Sequence, residues 1–118
     1  MSESRPSKRG LIDFIAQRLT AVIIGIYVIH IAVIFALNGD MDYVAWRGYF
    51  TSGYSLLLSS LTVLAIVVHS WIGMWTIGTD YIRGSGIANK LRLGYQALIG
   101  VVLIAFLIWS LGLIWGLL

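Results

Sequence analysis

Cysteine is absent from this 118-residue chain. It can therefore form no disulfide, offer no thiolate to a metal and hold no iron–sulfur cluster. Charge is scarce: Asp, Glu, Lys and Arg make up 11% of the residues, against about 25% in a soluble domain. Polar sequence is confined to an N-terminal tail and two short loops, which excludes a soluble catalytic domain. There is no internal repeat and no nucleotide-binding motif. The basic residues are few and flank apolar runs, so they carry no nucleic-acid footprint and no nucleic-acid partner is expected.

What the chain has is apolar length. Hydrophobic residues make up 59% of it, concentrated in runs at Thr20–Leu37, Ser55–Gly78 and Leu93–Leu118. Each reaches the roughly 20 residues needed to cross a hydrocarbon core. None alternates with period two, and a spanning backbone must satisfy its own hydrogen bonds, so all three read as helices. The expectation is an all-α membrane protein forming one membrane domain, with three transmembrane helices at about 14–37, 54–80 and 90–118. The first run lacks a small-residue cleavage site and reads as a retained span rather than a signal peptide; the tail is short and carries Glu3, unlike a mitochondrial transit peptide.

The charge pattern sets an expected orientation. Arg5, Lys8, Arg9 and Arg18 precede or open the first helix, and Arg83, Lys90 and Arg92 cluster at the second loop. The first loop has only Arg47, offset by Asp40 and Asp42. By the positive-inside rule the N-terminus and second loop are cytoplasmic, and the first loop and C-terminus lie outside. Leu11, Ile12, Phe14 and Ile15 before Arg18 suggest a short amphipathic segment along the interface. Asp42 is placed to cap a short helix with Tyr43, Trp46 and Phe50 on one face. Tyr43, Trp46, Tyr49 and Tyr54, joined by Trp109 and Trp115, fit an outer aromatic belt. Gly84, Ser85 and Gly86 mark a flexible second loop, and Gly112 and Gly116 form a GxxxG packing pattern.

The second span carries the chemistry. His69 interrupts a long apolar run, and an intramembrane imidazole is by default a functional-site hypothesis. At about 100° per residue, Asp80 falls roughly 20° from His69, on a stripe shared with Thr62, Ala65, Gly73 and Thr76. Leu64, Val67, Trp71, Met74 and Trp75 fill the opposite side. Two readings of His69 stay open: an axial haem ligand, or a hydrogen bond to a neighbouring helix. Gly73 would relieve the helix where a porphyrin face presses on it, beside small Ala65 and Thr62. His30 sits at a depth that allows it to share an iron with His69, or to act as a packed polar residue or a hydrogen-bond donor at a cofactor edge. Arg18 suits a haem propionate or lipid headgroups. Tyr81 lies about 120° from His69 on a straight helix, so the two side chains face different sides unless the helix unwinds near Gly78.

These residues bring a family into view. DFIAQRLTA at Asp13–Ala21, WRGYFTS at Trp46–Ser52 and HSWIGMWTIGTDYIR at His69–Arg83 resemble the small D-type membrane anchor of bacterial succinate dehydrogenase, the succinate:quinone oxidoreductase of respiratory complex II. The last motif, H-x-W-x-G-M-x-x-x-x-x-D-Y, is the most specific. The resemblance implies that His69 is an axial haem b ligand whose counterpart comes from a C-type anchor. It implies that Tyr81, with Asp80 beside it, contacts ubiquinone, and that Arg18 lies near the propionates. It also implies flavoprotein and iron–sulfur partners and a bacterial cytoplasmic membrane. His30 has no counterpart ligand in that family. The alternatives are a fumarate reductase anchor using menaquinone, a non-enzymatic membrane scaffold, and a self-contained cytochrome ligated by His30 and His69. Three helices cannot enclose a haem, so a helical partner is expected on packing grounds too.

Overall fold

The computed structural model describes residues 8–116. Arg5 of the basic tail and positions 117–118 of the third expected span lie outside the described residues. Four helices follow in order: α1 (Lys8–Leu37), α2 (Tyr43–Phe50), α3 (Gly53–Tyr81) and α4 (Ile87–Ile114). Among the described residues there is no strand. At 1.5 Å rise per residue the three long helices extend about 42–45 Å, more than a hydrocarbon core of about 30 Å. All three are apolar enough to cross it. The protein is therefore the expected all-α, three-span membrane protein.

The turn chemistry accounts for the joins. The Asp42 carboxylate accepts from the Ala45 N–H at 2.8 Å, so α2 starts at Tyr43. Its rings stack along one face, with Tyr43 and Trp46 centroids 6.5 Å apart and Trp46 and Phe50 centroids 4.7 Å apart. Ser52 opens α3 by accepting from the Ser55 N–H. Between α3 and α4, Gly84 (φ +119°) and Gly86 (φ +68°) take backbone angles that side-chain-bearing residues avoid. The Arg92 guanidinium closes this turn, donating to the Ile82 carbonyl at 3.2 Å and to Asn89 Oδ1 at 2.6 Å.

Two local expectations change. The first helix starts at Lys8, ahead of the expected position near 14, so the amphipathic stretch at Leu11–Arg18 forms the first turns of an unbroken α1; no proline follows Pro6 to interrupt the backbone ladder. The GxxxG pair is divided. Gly112 is buried within α4, whereas Gly116 lies past the helix end at φ +72° and ends the chain's helical path instead of packing.

α3 is the middle helix, with α1 and α4 packed on either side of it. Its contact faces are small and polar: Ser55, Ser59, Thr62, Val63, Ala65 and Gly78 are buried. In lipid, apolar side chains gain little from one another over acyl chains, so close backbone approach and interhelical hydrogen bonds carry the packing. Tyr27 OH and Ser59 Oγ meet at 2.9 Å between α1 and α3. On the other side, Trp115 Nε1 donates to Ser60 Oγ at 2.9 Å and Tyr95 OH donates to Met74 Sδ at 3.3 Å.

Tyr95 lies flat against Gly78. A Cβ built there would sit 2.9 Å from Tyr95 Cε1 and 3.0 Å from Cδ1. Gly78→Ala is expected to lower stability by about 1–3 kcal/mol through overpacking. Gly94→Ala in α4, where an added Cβ would meet no tertiary neighbour within 4 Å, is the control that carries the same gain in helix propensity without the clash. Thermal denaturation of the two variants in one detergent checks this: equal midpoints would mean that Tyr95 moves aside without cost.

Candidate haem- and quinone-facing site

The polar stripe of α3 meets α1 at His69 and Gly73, while Thr76 and Asp80 on the same stripe are exposed. Thr20, 8% exposed, brings Oγ1 to 3.2 Å from His69 Nδ1. The same oxygen lies 2.7 Å from the Ala16 carbonyl and 3.2 Å from that of Gln17. One turn on, Gly73 admits the Gln17 carboxamide: a Cβ at Gly73 would lie 3.4 Å from Gln17 Nε2. Gln17 Oε1 is buried and has no hydrogen-bond partner among the described residues. Thr62 and Ala65, at 3% and 4% exposure, are buried too. The small residues expected to clear space for a porphyrin thus serve first to let α1 approach α3. Gln17 was not singled out from sequence, although it lies inside the DFIAQRLTA motif; the available signal was an amide in the first apolar helix one turn before Thr20.

His30 is elsewhere. The Tyr49 hydroxyl of α2 hydrogen-bonds His30 Nε2, and the His30 ring lies 6.4, 5.9 and 6.0 Å from the rings of Tyr27, Tyr49 and Tyr54. Burial, with Tyr54 and Tyr27 adding to it, pushes the Tyr49 phenol above its ordinary value of 10.0. His30 is ten residues along α1 from Thr20, about 15 Å, whereas Thr20 touches His69. The two histidines do not meet, so His30 takes the packed polar role and the intrachain pair is not formed. The antiparallel pairing of α1 with α3, not equal depth, decides this.

Arg18 is exposed, with its guanidinium 5.1 Å from the Phe14 ring centre. It is about 200° around α1 from Thr20, so it does not share the His69 contact. Asp80 and Tyr81 end α3, which runs without unwinding through Gly78. Asp80 is exposed and Tyr81 is 82% exposed. Tyr81 is about 18 Å along the axis from His69 and on a different side. A groove of about 950 Å³, lined by Tyr27, Trp46, Arg47, Phe50, Ser59 and Thr62 among others, lies toward the α2 end and includes neither His69 nor Tyr81.

Among the described residues no three of His, Cys, Asp and Glu come together. What His69 offers is one imidazole donor, which matches one axial position of a haem but not a site made by this chain alone. Its Nδ1 is engaged, and Nε2 has no hydrogen-bond partner among the described residues.

Fold and site together define a three-span helical membrane subunit with His69 held against Thr20 inside the helix pair and an exposed Asp-Tyr end. The model of the succinate dehydrogenase/fumarate reductase transmembrane subunit family matches residues 4–111, and the chain belongs to that family. It is 32% identical over 111 residues to the succinate dehydrogenase hydrophobic membrane anchor subunit of Coxiella burnetii (strain RSA 493 / Nine Mile phase I), covering 94% of this chain and 93% of that one.

Proposed function

We propose that this chain is the D-type hydrophobic anchor of a succinate:quinone oxidoreductase in a bacterial cytoplasmic membrane. It anchors a flavoprotein and an iron–sulfur subunit on the cytoplasmic side, shares haem b with a C-type anchor and completes a ubiquinone-reduction site. The observation that carries this reading is the His69 imidazole, held through Nδ1 with Nε2 unpartnered, in a chain of this family. His69 would hold haem b through Nε2, and the haem would supply a one-electron store there. Gly73 keeps α1 close enough to hold that ring. The resemblance gives Arg18 a propionate as partner, but its guanidinium lies over Phe14 on the face of α1 turned away from the Thr20–His69 contact, so a headgroup-facing cation is the role its position supports.

Tyr81 works at the other end. Its exposure leaves the phenol free to donate to a quinone carbonyl, polarising it as negative charge develops. Asp80 accompanies it and favours proton delivery from the aqueous side. The positive-inside pattern supports a cytoplasmic location for this end, where soluble electron-donating subunits dock.

The assembly is tested by mild-detergent purification through a tag on this chain. A flavoprotein, an iron–sulfur protein, a second helical anchor and a haem b Soret band are expected to co-elute. Recovery of the chain alone and colourless from cells expressing the whole operon would sink the proposal.

A further inference from the structure

Thr20 has one hydroxyl proton and two acceptor lone pairs. Three partners surround its oxygen: the Ala16 carbonyl at 2.7 Å, the Gln17 carbonyl at 3.2 Å and His69 Nδ1 at 3.2 Å. Carbonyl oxygens only accept, so the proton goes to Ala16, the shortest contact. The oxygen then meets His69 as an acceptor, and Nδ1 must carry the hydrogen. A neutral imidazole protonated on Nδ1 presents its lone pair on Nε2. That is the atom left without a partner among the described residues.

We infer that Thr20 is the positioning residue of His69: its oxygen, oriented by the Ala16 carbonyl, fixes the Nδ1–H tautomer and the ring plane, and so readies Nε2 to ligate iron. This rests on the reading of His69 as a haem ligand. Three features make Thr20 suited to the task. It is the one buried residue of α1, so no aqueous exchange partner competes for Nδ1. A β-branched side chain on a helix has few rotamers, and threonine keeps the one that bonds back to the preceding turn. Beside it, the Gln17 carboxamide seated on Gly73 fills the next turn of the seam and limits tilting of the helix pair. A hydrogen bond at the far nitrogen also raises the basicity of a ligating imidazole and favours the more oxidised metal.

The test uses the assembled holo-complex carrying Thr20→Val, Thr20→Ser or Thr20→Cys, with His69→Gln in parallel. Thr20→Val keeps the shape and removes the acceptor. It is expected to retain haem b with a midpoint potential more positive than wild type, an altered largest g value in the low-spin spectrum, and haem loss to a competing apoprotein about 10–100-fold faster. Thr20→Ser is expected to restore all three. Wild-type potential, g values and haem retention in Thr20→Val, while His69→Gln has lost the haem, would overturn the role of Thr20 and leave the ligand assignment standing. Retention of an unchanged haem in His69→Gln would instead remove the assignment on which it rests. Should Thr20→Val fail to assemble, Thr20→Cys decides: sulfur is a weak acceptor, so its potential must lie above those of wild type and Thr20→Ser, and equality with them overturns the inference.

Discussion

His69→Gln is expected to abolish the reduced-minus-oxidised haem b band of the purified complex. Glutamine has similar reach and can still bond to Thr20 Oγ1, so the α1–α3 contact, 3.2 Å in the wild type, keeps a polar partner. It offers iron no imidazole nitrogen. A low-spin electron-transfer haem needs two strong axial ligands, and no second histidine stands in on this chain, because His30 is held by Tyr49 about 15 Å away along α1. Loss of the band with the helical anchors still co-purifying would separate ligation from folding. An unchanged dithionite-reduced spectrum would show that His69 only packs helices.

Tyr81→Phe is expected to depress succinate:quinone turnover by about 100-fold, the lower end of what removal of one preorganised donor to a developing oxyanion costs, while succinate oxidation with a soluble dye acceptor is retained. The side chain is 82% exposed at the end of α3, so the substitution deletes a hydroxyl and disturbs no core contact. Equal loss of both activities would place the defect in subunit assembly, and the quinone role of Tyr81 would fall. Since Tyr81 and His69 lie on different sides of an unbroken α3, the haem band of Tyr81→Phe should match wild type.

Much of the architecture follows from local pattern. The spans are visible as apolar runs because a bilayer leaves the backbone no alternative to a helix. The cap at Asp42 and the aromatic face of α2 follow from side-chain chemistry three and four residues apart. Gly84 and Gly86 mark the turn through their freedom to take positive φ. The stripe on α3 that holds His69, Gly73, Thr62 and Ala65 is equally readable, since it depends only on helical phase.

The partners of that stripe are not. Whether Thr20 or His30 lies opposite His69 depends on how far α1 slides along α3, and a slide of one turn changes every pair without altering either helix's own pattern. Gly73 illustrates the gap. Its lack of a side chain signals a close approach, but not that the visitor is Gln17 rather than a porphyrin. Gly116 resembles a packing glycine until the helix ends one residue earlier than its Trp115 neighbour.

By itself, then, the sequence determined what short-range physics can encode: three membrane-spanning helices, their caps and turns, a polar seam, an Asp-Tyr end and a charge bias for orientation. The tertiary structure decided which atoms meet. It set Thr20 against His69 Nδ1, placed Gln17 on Gly73 and moved His30 into a tyrosine cluster. Those choices depend on interhelical register, where the small differences among many weak contacts between apolar helices are resolved only when all of them form together.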